Sequence, residues 1–297
     1  MYRTYFGLRE LPFGLTPDTS FAFSASEFQA ALNTLLVAIS SGEGFLKITG
    51  EVGTGKTLLC RRFLASLDAA GYAYAYIPNP FLEPKSILVA VADELSVPID
   101  RDGDLHQIVK SLNHALLDLA RAGKRVVLCL DEAQAMPNES LEALRLLTNL
   151  ETEKRKLVQI VLFGQPELDD KLDIKQLRQL RQRITFQHRL TAFTREETGY
   201  YVMHRLRIAG YVGGELFSKR AISALYRASG GVPRLINIVA HKALLVAFGE
   251  GEHQVGARHV RLAARDTPST RRRRMALGVL IALLVGAAGC ALWVGLR

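Results

Sequence analysis

A chain of 297 residues can bury a substantial core and hold two domains. Its 48% apolar and 23% charged residues place it among globular proteins. The three scattered cysteines and seven histidines, none at ligand spacing, exclude a disulfide frame and a zinc site. Of the net charge of +9, five charges belong to Arg271, Arg272, Arg273, Arg274 and Arg297, and the mildly basic remainder argues against a nucleic-acid partner.

Residues 1–23 hold Tyr5, Phe6, Pro12, Phe13, Gly14 and Pro17 and read as an irregular aromatic arm packed on the domain. Ser24 opens a helix through a capping box to Glu27. Phe28, Ala31, Leu32, Leu35, Leu36 and Ile39 then recur at helical spacing, and Gly42 ends it. An apolar strand over 45–49 enters Gly50-Glu51-Val52-Gly53-Thr54-Gly55-Lys56-Thr57, and a helix leaves it from Leu58 to about 67. Strand, glycine-rich loop and helix in that order are the setting in which this spacing binds nucleotide phosphates. Glycines let the backbone N–H groups curl inward, and the helix N-terminus adds partial positive charge at the same point. Gly50 to Leu58 therefore form the expected ATP- or GTP-binding stretch, with Lys56 on the β- and γ-phosphates and the Thr57 hydroxyl on Mg²⁺.

A second strand, 72–77, stops at Pro78-Asn79-Pro80. Helices are expected at 84–95 and 105–122, the latter capped by Asp104 with Gln107. The continuous apolar strand 125–130 suits a sheet covered on both faces and runs into Asp131-Glu132. After a phosphate loop, the first acid of such a pair helps to hold Mg²⁺ and the second polarises the attacking water, so hydrolysis is expected as well as binding. A helix at 139–150, a strand at 157–163, a basic helix at about 167–182 and a short strand at 184–188 complete a parallel α/β sheet. Thr194 and Glu197 cap a helix to about 208, and helices at 218–229, 233–248 and 256–265 make a separate all-α unit.

Residues 266–274 are a polar, then basic, linker. The segment 275–296 carries no charge and as a helix would cover about 33 Å, against a hydrocarbon core of about 30 Å. The arginines before it keep the N-terminal bulk in the cytoplasm, so the expectation is a single-pass anchor in a bacterial inner membrane. Gly278, Ala282, Gly286 and Cys290 recur along that segment as a candidate helix-pairing face, with the apolar, Gly- and Ala-rich character of such helices as the plainer explanation.

The phosphate loop, the strand ending in Asp131-Glu132 and the C-terminal helical unit resemble the AAA+ ATPases. Tyr5-Phe6-Gly7-Leu8-Arg9-Glu10-Leu11-Pro12-Phe13, Thr16-Pro17-Asp18, Gly42-Glu43-Gly44-Phe45, Asp131-Glu132-Ala133-Gln134 and Phe163-Gly164-Gln165-Pro166-Glu167-Leu168 are similar to the ExeA/GspA group of secretion ATPases, and within it to the MSHA-type pilus biogenesis ATPases. The resemblance covers about residues 1–267. It implies a P-loop NTPase fold of five parallel strands with a helical lid over 191–265, after an arm over 1–23 and an ATPase domain over 24–190. It also implies a homo-oligomeric ring or filament and inner-membrane pilus or secretion proteins as partners. With this sequence ending at Arg297, the expectation is the shorter pilus type, without the periplasmic peptidoglycan-binding domain of ExeA-type proteins. Gln165 would be sensor 1, or a turn residue before Pro166. Arg234, in Gly231-Val232-Pro233-Arg234, would be a sensor 2 arginine touching phosphate in cis. Arg183, with Arg181 as alternative, would be an arginine finger acting on a neighbouring subunit, and Asn79 would hold the catalytic glutamate inactive. The competing functions are a DNA-binding ATPase of the transposition-regulator type and a nucleotide-gated scaffold that barely hydrolyses.

Overall fold

The structure, a computed structural model, describes residues 2–268 apart from 17, 22, 24, 149, 150, 153 and 154. The Ser24 cap and the membrane segment expected over 275–296 fall outside the described residues. Among those described, no helix is long and apolar enough to cross a membrane. Two compact units are formed. One holds residues 17–191, and the other joins the residues up to 16 to those from 192 onward.

The first helix, α1 (Tyr2–Tyr5), belongs to the second of these units. In the first, α2 (Ser26–Ser40) leads to β1 (Phe45–Gly50), α3 (Lys56–Ala69) and β2 (Ala73–Ile77). There follow α4 (Pro84–Glu94), α5 (Leu105–Arg121), β3 (Val126–Leu130) and α6 (Asn138–Leu147). A two-residue hairpin, β4 (Glu151–Thr152) with β5 (Arg155–Lys156), precedes β6 (Val158–Gly164), α7 (Glu167–Leu172), α8 (Arg178–Arg183) and β7 (Ile184–Leu190). The large sheet has five strands in the order β2-β3-β6-β1-β7, all parallel. Thr49 pairs with Gly164, Leu130 with Leu162 and Gly50 with Leu190, so the C-terminal ends of β1, β3, β6 and β7 meet at one edge. Ligands in open α/β sheets gather at that edge, because the loops leaving the strands converge there.

Every residue of β3 and β6 is buried, as apolar strands covered on both faces require, and the one polar side chain among them, Gln159, donates to Ile39 O at 3.0 Å and Glu43 O at 2.8 Å. Cys60 and Cys129 are free thiols inside this core. α5 begins where Asp104 accepts from Gln107 N at 2.8 Å and Gln107 Oε1 accepts from Asp104 N at 3.0 Å. α2 starts at Ser26 with no side-chain cap, so its position rests on the buried stripe of Phe28, Ala31, Leu32, Leu35 and Ile39. β1 carries one charge in its middle, Lys47, whose ammonium pairs with Asp169 on α7. β7 runs two residues further than the pattern suggested, to Leu190, where its main chain still pairs with Gly50.

The single basic helix expected at 167–182 is two helices separated by a 3₁₀ turn, Lys175–Leu177. Ile174 is extended, at φ −67° and ψ 149°. Leu168, Leu172, Leu177 and Leu180 are all buried. On one continuous helix, Leu172 and Leu177 would point about 140° apart, and the break lets both face the core.

In the second unit come α9 (Arg195–Ile208), α10 (Lys219–Ser229), α11 (Pro233–Gly249) and α12 (Ala257–Arg265). Thr194 and Glu197 form the expected reciprocal cap of α9. α10 begins at Ser218, whose hydroxyl accepts from Ala221 N, and ends at Gly230 in the left-handed region. The aromatic arm up to residue 16 is part of this unit, with Tyr2, Phe6, Leu8 and Phe13 buried, while its remainder belongs to the first. The Arg205 guanidinium donates to Pro12 O and, at 3.0 Å, to Tyr201 Oη, which itself donates to Asn237 Oδ1 at 2.9 Å. Asn237 in turn donates to Gly14 O at 3.3 Å. The arm's carbonyls are thus satisfied by buried polar side chains of α9 and α11.

Candidate active site

Gly50 ends β1 at a place where nothing larger fits. A β-carbon there would lie 2.8 Å from Thr54 Oγ1 and 3.0 Å from Leu190 O. Beyond it Gly53 and Gly55 sit at φ +83° and +105°, which only glycine adopts without strain. Thr54 closes the loop by donating its hydroxyl to Glu51 O at 2.8 Å. Glu51 and Val52 are exposed at the tip, Leu58 is half-buried on the first turn of α3, and a β-carbon on Gly55 would meet nothing within 4 Å. At Gly55 the loop borders open space beside the N-terminus of α3, whose first-turn N–H groups have no partner within a helix, the setting that suits phosphate.

Lys56, the first residue of α3, is only 5% exposed. Its ammonium folds back onto the loop, donating to Gly50 O at 2.7 Å and Glu51 O at 3.1 Å. Burial lowers its pKa, while Glu132, Asp131, Glu51 and Glu167 pull in the opposite direction. Thr57 donates its hydroxyl to Asp131 Oδ2 at 2.7 Å. Asp131 is 3% exposed and stands one residue past β3, where its N–H donates to Ile77 O at 3.0 Å. Burial raises its pKa, against hydrogen bonds from Thr57 and from Glu132 N. Two hard oxygen donors, one of them a carboxylate that burial leaves in need of a cation, fit Mg²⁺. Among the described residues no group of three or more His, Cys, Asp or Glu could hold a metal. That accords with Mg²⁺ sites that draw one or two ligands from protein and the rest from phosphate and water.

Glu132 is a non-glycine residue in the left-handed region, at φ +54° and ψ 37°. Asp131 Oδ1 accepts its N–H at 3.0 Å, and its own carbonyl accepts from Ala135 N at 2.9 Å. Its Oε2 accepts from Gln134 Nε2 at 2.6 Å and from Gln165 Nε2 at 3.1 Å. Burial pushes its pKa up, but the two amide donors and the charge of Lys56 outweigh it, and the net shift is downward. The structure thus gathers Lys56, Thr57, Asp131, Glu132 and Gln165 at the sheet edge. It adds Gln134, to which the sequence reading gave no role although it lies in the Asp-Glu-Ala-Gln motif. Asn79 does not hold Glu132: its Oδ1 accepts from Phe81 N at 3.4 Å, in a local turn, and the glutamate is held by the two glutamines.

Residues 39–172 match the AAA domain family. The chain is 40% identical over 287 residues to general secretion pathway protein A of Aeromonas hydrophila, covering 97% of this chain and 52% of that protein. The chain is similar to the ExeA/GspA group of AAA+ ATPases. It spans about half the length of the curated relative it matches. The same fold recurs in solved structures. Cdc6p of Pyrobaculum aerophilum superposes with a TM-score of 0.64 at 18% identity, over 84% of this chain and 70% of that one. Aeropyrum pernix ORC1, solved in complex with DNA, gives 0.59 at 18% identity, over 86% and 69%.

Of the arginines with AAA+ roles in view, Arg181 and Arg183 lie on α8 and Arg234 on α11. Arg183, the last residue of α8, donates to Thr148 Oγ1 at 2.9 Å and to Arg145 O at 3.4 Å, closing the end of α6. Arg181 is exposed and pairs with Asp173 at 2.7 Å. Arg234 is exposed on the first turn of α11, behind Pro233.

Proposed function

We propose that this protein hydrolyses ATP with Mg²⁺ at the cytoplasmic face of a bacterial inner membrane. The cycle would support assembly of an MSHA-like type IV pilus or a type II secretion apparatus, in the manner of an MshM-like ATPase. The observation that carries hydrolysis is the 2.7 Å hydrogen bond between Thr57 and Asp131, next to a glutamate held by two amides. The relationship to a general secretion pathway protein supports the assembly role.

In this reading the loop amides from Gly53 to Thr57 bind the ATP phosphates. Lys56 exchanges its two carbonyl partners for β- and γ-phosphate oxygens. Thr57 and Asp131 hold Mg²⁺, which when bound neutralises the phosphate oxygens. Glu132 takes a proton from the water that attacks the γ-phosphorus, giving ADP and inorganic phosphate. Gln165 orients that water or touches the γ-phosphate. Arg234 contacts phosphate in cis, and Arg183, or Arg181, completes the site of a neighbouring subunit in a ring or filament. Residues 275–296 anchor the chain to the membrane.

The test is phosphate release by the intact protein with and without Mg²⁺, beside Glu132→Gln. Loss of a general base lowers kcat by about 10²–10⁴, and the variant should trap ATP and co-purify inner-membrane assembly proteins. A Glu132→Gln variant that turns over at the parent rate would refute the catalytic assignment. A full-length chain recovered wholly outside the membrane fraction would refute the anchor, and recovery of nucleic-acid proteins alone would refute the assembly role.

A further inference from the structure

We infer that Gln134 is a positioning residue: its one side-chain amide joins Glu132 to Gln165, so that what happens at the end of β6 is felt at the carboxylate. The inference rests on the proposed role of Glu132 as the base.

The Gln134 side chain is used at both ends. Its Nε2 donates to Glu132 Oε2 at 2.6 Å, and its Oε1 accepts from the backbone N–H of Gln165 at 3.0 Å. Gln165 Nε2 returns to the same Glu132 oxygen at 3.1 Å, closing a ring of three residues across β3 and β6. The ring is pinned from outside, since Lys171 on α7 donates to Gln134 O at 3.0 Å and also to Met136 O. Space around it is tight. A β-carbon on Gly164 would lie 2.7 Å from Leu168 Cδ2 and 3.3 Å from Gln134 Oε1, so the glycine before Gln165 is what lets the amide reach the strand end.

Two consequences follow from this geometry. Both amide donors converge on Oε2, and among the described residues Oε1 of Glu132 has no hydrogen-bond partner. The lone pairs of Oε1 are therefore the ones presented to a water. Moreover, Glu132 is held at φ +54°, a conformation that is costly for a non-glycine residue and persists only when its surroundings enforce it. The ring supplies part of that enforcement. If Gln165 moves to engage phosphate, its N–H pulls on Gln134 Oε1, and the same rigid amide turns its Nε2 relative to Glu132. The carboxylate is released or re-aimed without any residue spanning the gap directly.

The experiment uses the intact protein and compares Gln134→Met, which keeps the size and loses both hydrogen bonds, with Gln134→Glu, which keeps the acceptor for Gln165 N and loses the donor to Glu132. Two readouts are taken. One is kcat beside the Kd for a fluorescent ATP analogue. The other is hydrogen exchange of the Gln165 amide in the nucleotide-free protein. The inference expects Gln134→Met to lower kcat by about ten-fold or more with Kd within about three-fold of the parent, the signature of a group acting in the transition state. It also expects Gln165 N–H to exchange faster in Gln134→Met and at the parent rate in Gln134→Glu, while kcat stays low in both. Finally, Gln134→Met combined with Gln165→Met should cost no more than the worse single change, because the two act as one unit. Gln134→Met turning over within about two-fold of the parent, while Glu132→Gln is inactive, would overturn the inference and leave the base assignment standing. Losses that simply multiply, or a Kd that weakens in step with kcat, would overturn it too. An active Glu132→Gln would remove both.

Discussion

Gly231→Ala should unfold the helical unit at markedly lower denaturant, and the size of the effect can be worked from two contacts. Gly231 sits at φ +77°, where a β-carbon costs about 1–2 kcal/mol. That carbon would lie 1.9 Å from Phe193 O, about 1.5 Å short of ordinary contact, and the obstacle is backbone, which cannot swing aside. Relieving the overlap separates the two segments and breaks the 2.9 Å bond from Phe193 N to Gly231 O, leaving groups whose desolvation costs about 1–3 kcal/mol. The sum is about 2–5 kcal/mol, a large share of the stability of an ordinary domain. Gly249→Ala is the paired control. Gly249 ends α11, the helix that follows Gly231, with nothing within 4 Å of the new methyl, and alanine there should be neutral or stabilising by up to about 1 kcal/mol. Urea titration followed by hydrogen exchange at residues 193–206 and 233–249 separates the two variants. Arg234 sits three residues past the strained glycine, so ATP affinity measured on the same samples reports whether its placement matters. A Gly231→Ala midpoint within error of Gly249→Ala would refute the steric argument.

Arg183→Ala should leave ATP affinity near the parent value and lower hydrolysis by the assembled protein by about 10³–10⁵. Because Arg183 also closes α6 through Thr148, Thr148→Val serves as the control: it removes the 2.9 Å bond but keeps the cation, and should hydrolyse normally. Equal rates for parent and Arg183→Ala in the assembled state would dismiss the finger. Stability of the helical unit should also fall with acidity. Burial holds the pKa of His241 below its ordinary 6.5, while its Nδ1 lies 2.9 Å from Tyr2 Oη, a phenol that burial pushes up to about 12. Below about pH 6.5 the unfolded chain takes up a proton that the folded one resists, so stability present at neutral pH is lost as pH falls. Urea midpoints on either side of that pH should differ less in His241→Phe than in the parent, and an unchanged difference would reject the assignment.

Local signals in the sequence were reliable where the cause is local. The caps at Asp104 and Thr194 depend on residues three positions apart, and the buried run of β3 depends on nothing but its own composition, so all three could be read directly. The phosphate loop and the Asp131-Glu132 pair were legible for the same reason. What escaped were long-range choices. The break at Ile174 is forced by a core that takes both Leu172 and Leu177. The destination of the aromatic arm depends on Arg205 and Asn237, about 190 to 220 residues away, whose polarity gives no hint that they are buried against arm carbonyls. Gln134 escaped because its role needs three residues at once, and only the pairing of β3 with β6 brings Gln165 beside it.

The buried charge in β1 also bears on how the strand finds its place. Lys47 is the only residue of Phe45–Gly50 that is not fully buried, and it meets Asp169 on one face of the sheet. Slipping the strand by one residue would turn that ammonium to the opposite, apolar face and leave both charges unpaired. The same slip would shift Gly50 by about 3.3 Å along the sheet, past the Leu190 carbonyl it closely abuts. In β1, Lys47 makes slipped alignments expensive, and in doing so fixes where the chain leaves the sheet to become the phosphate loop.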